Sequence, residues 1–278
     1  MKYQALVPLV TYPDNNTEHA VTNSIAIAKL INANADAVVM EPSIPNVGNA
    51  LSHIVLDLPE HIRAVEARCS SIAADLIRTF GQVADREGVD ARASFLKANP
   101  VFFADRAAET ARRYDIACVG WLRGSTGIQA LAEGLLFGSG RPLLLVPEAE
   151  KVQKLDHVAV AWDGTRVAAR AVADARRILE RAAMISVITM SGEKPIRNEE
   201  SGELLVESLC SAGLNAHFSE SNTRKQNISE ALQDHAIHLG ADILVMGGYG
   251  HSRLRNFVLG SATRGVLANL SMPVMLSH

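Results

Sequence analysis

The residues best suited to chemistry in this chain are glycines and hydroxyl side chains in two short groups. Residues 247–250 read Gly-Gly-Tyr-Gly, and after nine further residues 260–263 read Gly-Ser-Ala-Thr. The apolar run 243–246, which ends at Met246, directly precedes the first group and is typical of a buried strand. Glycine lets a backbone approach a ligand closely, and free N–H groups at a helix start attract anions. The pattern therefore indicates an anion-binding edge suited to phosphate.

Each position in these two groups has a predicted task. The first glycines bring main-chain N–H groups to a phosphate, the third opens a second turn, and the hydroxyls donate at a helix N-terminus. The basic residues between the groups either add positive charge beside the phosphates or lie in solvent, and the sequence leaves both interpretations open. The residues assigned to phosphate are Gly247, Gly250, His251, Arg253, Gly260, Ser261 and Thr263.

A second polar group, residues 162–165 (Trp-Asp-Gly-Thr), follows the apolar run 158–161. Asp163 could accept hydrogen bonds from ribose hydroxyls, and Gly164 permits a tight turn into the next helix. Alternatively, Asp163 or Thr165 simply caps that helix, since both are favoured N-cap residues. Because the carboxyl ends of parallel strands meet at one edge of a sheet, this group and the glycine turns are expected to face the same ligand.

Strand and helix patterns alternate along the whole chain and occur twice in the same order. The strand-like runs are continuously apolar, which favours a parallel sheet covered by helices on both faces. The two halves end alike, with Arg-Pro-Leu-Leu-Leu-Val at 141–146 and Met-Pro-Val-Met-Leu at 272–276. The polar segment 148–154 separates them. We therefore predict an α/β protein with tandem open-sheet domains at 1–149 and 150–278.

Composition limits the classes of function. The chain has 278 residues, a net charge of −3 and no clustered basic residues, so a nucleic-acid partner is not expected. Three widely spaced cysteines form no disulfide framework or thiolate zinc site, which fits a reducing compartment. No apolar run reaches the roughly 18 residues that a membrane span needs. The expected location is the cytoplasm, with no membrane partner and no protein metal site.

The glycine spacing, Gly-x-x-Gly followed by nine residues and Gly-Ser, resembles the nucleotide-binding signature of the universal stress protein family. The resemblance covers the second half and, more loosely, the first, so the chain is similar to a tandem universal stress protein. It implies two five-stranded parallel sheets of the Rossmann-like, adenine nucleotide alpha hydrolase-like type. It further implies ATP as the ligand, with Mg²⁺ on the phosphates rather than in a protein cage.

Carried over by position, the resemblance assigns roles to particular residues. Asp163 would meet the ribose, the backbone around Val187 the adenine, and Ala262 would add main-chain contacts to the phosphates. The first half departs from the pattern: Thr11 replaces the acid, and Trp121 adds bulk where a phosphate loop needs room. We therefore predict that domain 1–149 is degenerate and does not bind ATP in the family manner.

Three functions fit these observations. The first is a stress-response protein that binds an adenine nucleotide for regulation, with slow or no hydrolysis. The second is a weak ATPase or nucleotidyl-transfer enzyme. The third is a scaffold without a ligand, which stays open because the ring of Trp162 could stack on adenine or fill its place. The two domains are expected to pair within the chain, and a homodimer is a further hypothesis.

Overall fold

The computed structural model describes residues 2–45, 58–148, 152–191, 201–222, 227–248 and 261–278. The chain divides into two compact units, Met1–Ser139 and Gly140–His278. Each unit is an α/β structure in which helices pack on a mostly parallel sheet. The predicted fold class is therefore confirmed, while the domain boundary at 149/150 stays a prediction.

The first unit contains a parallel sheet with strand order β3-β2-β1-β4. Its strands are almost continuously buried in β1 and β4, as the apolar runs predict. Burial raises the pKa of the Cys118 thiol, within β4, to about 12, so this cysteine is an inert core residue. The elements are β1 (Tyr3–Val10), α1 (Glu18–Leu30), β2 (Ala33–Pro42), α2 (Leu58–Glu87), β3 (Ala91–Ala98), a 3₁₀ turn (Pro100–Phe102), α3 (Phe103–Ala111), β4 (Ile116–Trp121) and α4 (Thr126–Gly138).

The second unit has strand order β5-β10-β9-β6-β7-β8. All neighbouring pairs in it are parallel except β5 and β10, which are antiparallel. The elements are β5 (Leu143–Pro147), β6 (His157–Ala161), α5 (Arg166–Asp174), α6 (Arg176–Leu179), β7 (Met184–Ser191), α7 (Ser201–Ser211), β8 (Ala216–Asn222), α8 (Ile228–His238), β9 (Ile243–Gly247), α9 (Ser261–Ala268) and β10 (Val274–Ser277). Thus β5, which the sequence pattern assigns to the first half, lies in the second compact unit. The described units therefore have four and six strands, with one antiparallel pair, rather than five parallel strands each.

Side-chain caps fix where helices begin at the carboxyl ends of the strands. Ser125 caps α4, Thr165 caps α5 and Asn227 caps α8, each through a side-chain oxygen that accepts a backbone N–H from the first turn. Such caps satisfy donors that a helix start leaves unpaired. Among the described helices, none is both long enough and apolar enough to cross a membrane.

Candidate nucleotide site

The turn after β6 is built by Asp163, Gly164 and Thr165. Asp163 Oδ1 accepts hydrogen bonds from the backbone N–H of Thr165 at 3.0 Å and from its hydroxyl at 2.6 Å. Thr165 Oγ1 in turn accepts from the N–H of Ala168 and caps α5. Gly164 has a φ of +73°, a conformation that glycine adopts without the Cβ strain of other residues. Thr165 therefore caps α5, and Asp163 holds the Thr165 side chain in this turn.

Capping leaves part of the Asp163 carboxylate available. The side chain is exposed, and Oδ2 takes no hydrogen bond from the described residues. A carboxylate has two oxygens and about four acceptor positions, so the turn uses only a fraction of its capacity. Asp163 can therefore hold the turn and accept ligand hydroxyls at the same time.

Gly247, the last residue of β9, allows the strand to approach α5. A Cβ at this position would lie 2.6 Å from the carbonyl carbon of Val167 and 2.8 Å from the nitrogen of Ala168. Both are backbone atoms in the first turn of α5, so they cannot yield as a flexible side chain would. The glycine thus brings the end of β9 against the helix that follows the Asp163 turn. Two of the predicted groups are therefore neighbours.

Two buried polar atoms lie at the same edge without partners among the described residues. Trp162 follows β6, and its indole Nε1 is buried with no acceptor there. Ser277 ends β10 and is 1% exposed, and its hydroxyl also has no described partner. Their strands flank β9 on either side. Because buried donors are normally paired, both atoms are suited to a ligand or an ordered water.

The backbone of Trp162 is fixed even though its indole N–H is not. Its N–H donates to the Ile188 carbonyl at 2.8 Å, and its carbonyl accepts from the Thr189 hydroxyl at 3.3 Å. These bonds join the end of β6 to β7 just beyond their ladder. Thr189 therefore holds the ring at the edge, a role that sequence reasoning missed because it depends on the register of the two strands.

The position of α9 is set by α8. A Cβ at Gly265 would overlap the Ser229 side chain, so the two helices are in close contact there. Gln233 is buried, donates to the Asn269 carbonyl at 2.9 Å and accepts from the Ser271 N–H at 2.9 Å. The middle of α9 and the segment after it are thereby attached to α8.

The structure describes only some of the residues predicted to contact phosphate. Helix α9 spans Ser261–Ala268, and Thr263 is buried in its first turn. Only the backbone is described for Ser261 and Ala262. Gly250, His251, Arg253 and Gly260 lie outside the described residues. Their assignments stay predictions.

Val187 and Met246 lie inside the sheet rather than at its rim. Val187 is fully buried and pairs with Val160 on one side and Phe218 on the other. It stands four residues before the end of β7, so its backbone groups belong to the ladder. Met246 is buried in β9, one residue before Gly247. The geometry gives Thr189 and Met190 more direct access to the edge than Val187.

The matching edge of the first unit is occupied by protein groups. Asn16 Oδ1 accepts from the Val10 N–H at 2.9 Å, and its amide donates to the Gly120 carbonyl at 3.4 Å, so it links the ends of β1 and β4. Trp121 is 5% exposed, and its indole Nε1 is, like that of Trp162, buried without an acceptor among the described residues. A Cβ at Gly127, at the start of α4, would lie 3.0 Å from the Pro13 ring. Among the described residues, Asn16, Trp121 and Pro13 therefore occupy this edge of the first unit.

Backbone dipoles and the Asp163 carboxylate contribute to the electrostatics of the described part of the second edge. The starts of α5 and α9 contribute partial positive charge, and Asp163 contributes an exposed negative charge. Within the described part of the chain, no cluster of three or more His, Cys, Asp or Glu side chains could hold a metal. The edge is therefore suited to a ligand that carries both phosphates and hydroxyls.

Comparison with known proteins agrees with this architecture. Residues 154–278 match the model of the universal stress protein family. A universal stress protein from Archaeoglobus fulgidus DSM 4304 has the same fold, with a TM-score of 0.70 and 16% identity over 98% of this chain and 97% of its own. A putative universal stress protein from Pseudomonas aeruginosa UCBPP-PA14 gives a TM-score of 0.57 and 16% identity over 99% and 93%. No curated protein matches the chain.

A shorter structure resembles about half of the chain. It is a universal stress protein family member from Arabidopsis thaliana with AMP bound, 12% identical over 52% of this chain and 91% of its own, with a TM-score of 0.34.

Proposed function

We infer that this chain, whose residues 154–278 belong to the universal stress protein family, binds an adenine nucleotide at the carboxyl edge of its second unit. The observation that carries the inference is the set of unused groups at this edge. The open oxygen of Asp163 and the unpartnered indole of Trp162 lie beside the close approach at Gly247. Such an arrangement supplies acceptors for ribose, a donor for a base and backbone for phosphate.

The proposed ligand is ATP, and different residues of the chain would contact its ribose, adenine and phosphates. Asp163 would accept the ribose hydroxyls, the Trp162 and Thr189 region would face the adenine, and the start of α9 would face the phosphates. The phosphates would carry Mg²⁺, which prefers oxygen ligands from phosphate and water to a protein cage. The function would be regulatory binding in a stress response, and ATP hydrolysis is the alternative.

The edge favours binding over catalysis. Among the described residues that directly follow β6 and β9, Asp163 is the one carboxylate, and its Oδ1 is already held by Thr165. A general base must reach an attacking water with a free acceptor in the correct place. No lysine is described at this edge to stabilise a leaving phosphate. Nucleotide is therefore expected to stay bound without rapid turnover.

The test begins with freshly purified, undialysed full-length protein. Denaturation followed by mass spectrometry should release about one adenine nucleotide per chain. Asp163→Ala should remove most of it, whereas Asp14→Ala, an exposed acid near the matching position of the first unit, should leave it unchanged. Two nucleotides per chain would show that the first unit also binds. No nucleotide, and no ATP binding on titration, would favour a scaffold without a ligand.

A further inference from the structure

Three polar side chains near the starts of β6, β7 and β8 form a hydrogen-bonded chain. His157 Nε2 lies 2.7 Å from Ser186 Oγ, and Ser186 Oγ lies 2.8 Å from His217 Nε2. Ser186 is fully buried and His157 nearly so. The register pairs Ser186 with His217, so their side chains are on the same face of the sheet. The cluster is at the opposite end of these strands from the nucleotide edge, so it does not rest on the proposed function.

The donor direction in this chain can be assigned by counting protons. The Ser186 hydroxyl has one proton and can therefore donate to only one of its two imidazole partners. His157 is the more deeply buried of the two rings, so it is favoured as the neutral ring, whose Nε2 accepts from Ser186 and whose Nδ1 carries the ring proton. The Ser186 oxygen then accepts from the Nε2–H of His217.

The two histidines differ in their capacity for a second proton. His217 can add one at Nδ1 while the order His217 to Ser186 to His157 stays intact. If His157 is charged as well, both Nε2–H groups point at Ser186, and the hydroxyl proton has no acceptor in the cluster. The ring centroids are 6.2 Å apart, so two positive charges would also repel.

The surrounding charges do not remove this conflict. Asp242, before β9, accepts the backbone N–H groups of Asp156 and His157 with Oδ2, and its Oδ1 lies 3.4 Å from the Lys154 ammonium. Asp242 favours a charged His157, whereas Lys154 and His217 oppose it. Burial is the largest influence and lowers the pKa of His157.

Helix α8 packs against β7 and brings His235 to this face, where its Nε2 lies 2.8 Å from Ser219 Oγ on β8. The same helix carries Glu230, Asp234 and His238, and His238 opposes a charge on His235.

We propose that the His157–Ser186–His217 cluster is a one-proton site: it takes up one proton on acidification and refuses a second while the second unit is folded. His157, the more deeply buried ring, stays neutral and accepts the Ser186 hydroxyl proton. Acid then acts in two steps, a reversible charge change at the face of β8 followed by opening of the β6–β8 region. The cluster thereby makes the second unit sensitive to acid in a graded way.

The decisive measurement is a ¹⁵N NMR titration of histidine side chains in the full-length protein from pH 8 to pH 5. His157→Gln and His217→Gln identify the two rings. At pH 8 we expect the Nδ1–H tautomer for His157 and the Nε2–H tautomer for His217. At pH 5 His157 should still be neutral, and no more than one of the two rings should be charged. An Nε2–H tautomer of His157, or both rings titrating over the same interval, or neither titrating, would overturn the proposal.

A matched pair of serine variants separates this cluster from burial in general. Ser186→Ala removes the hydroxyl shared by two rings, so His157 loses the donor that stabilises its neutral form, and its titration midpoint should rise by about half a pH unit or more. Ser219→Ala removes a hydroxyl that contacts one ring, His235, and should leave His157 unchanged. Equal shifts of His157 in both variants would count against the proposal. If Ser186→Ala does not fold, the wild-type titration alone decides.

Discussion

In both units the strands and helices follow one another in the same order, but different side chains line the carboxyl ends of the strands. In the first unit, Asn16 joins the ends of β1 and β4, and Trp121 is buried where a ligand would need space. In the second unit, the corresponding turn holds an exposed Asp163 and Gly164, whose positive φ would strain any residue with a Cβ. A repeated fold therefore preserves its layers while different side chains line the two edges. The proposed function rests on the polar groups described at the second edge.

The largest expected effect is at the filled edge. Trp121→Ala removes a buried indole from β4 and should destabilise the first unit by about 3–5 kcal/mol, the usual cost of such a cavity. Hydrogen exchange at the amides of β1 and β4, read by mass spectrometry, would localise the loss. Trp162→Ala, at a more exposed ring, should cost the second unit clearly less. Equal costs would mean that the two edges are filled alike.

Asn16→Ala should have the next largest effect, because it leaves the buried Val10 N–H without its acceptor. The expected loss is about 1–3 kcal/mol in the stability of the first unit, with nucleotide content unchanged. Asp163→Ala should show the reverse pattern, with a small change in stability and loss of nucleotide. Urea unfolding and nucleotide content, measured on both variants, test this opposite pattern of effects. If both variants lose nucleotide, the first edge takes part in binding.

Gly247→Ala tests whether the open edge depends on close packing. The added Cβ would meet the backbone of Val167 and Ala168, so a loss of about 1–3 kcal/mol is expected in the second unit. Gly81→Ala is the matched control, since a Cβ there has nothing within 4 Å and lies in α2. That change should be neutral or slightly stabilising. A harmless Gly247→Ala would remove the packing explanation for this glycine.

The smallest effect is a difference in acid sensitivity between the units. Burial lowers the folded-state pKa of His157 and His235, both in the second unit, below the unfolded value of about 6.5. The unfolded chain therefore binds these protons first, so stability is full above about pH 6.5 and falls as the pH drops below it. His157 contributes no more than about 1.4 kcal/mol per pH unit.

Each unit contains one of the two tryptophans, which allows this acid effect to be read separately. Trp121→Phe leaves Trp162 to report the second unit, and Trp162→Phe leaves Trp121 to report the first. Urea midpoints at pH 7.5, 6.5 and 5.5 should fall more steeply for the second unit. A steeper fall in the first unit would contradict the assignment.

The sequence predicts the layers of this fold better than the fine geometry of the site. Continuous apolar runs identify the strands, and the Asp-Gly-Thr turn is found where the pattern predicts it. By contrast, the access of Thr189 and the burial of Val187 depend on strand register, which single-strand patterns do not encode. His157 and His217 are 60 positions apart and look unrelated until Ser186 joins them. Such contacts arise only when neighbouring strands are aligned.

The pairing of β5 with β10 has a consequence for how the chain is made. The two strands are about 130 residues apart, yet they pair in the same compact unit. During synthesis, β5 leaves the ribosome with the first half and must wait for β10 before this pairing can form. Until then its apolar edge is open to any strand that reaches it. The interval between these two strands is therefore the stage of biosynthesis most exposed to mispairing, and the one at which a chaperone would have most effect.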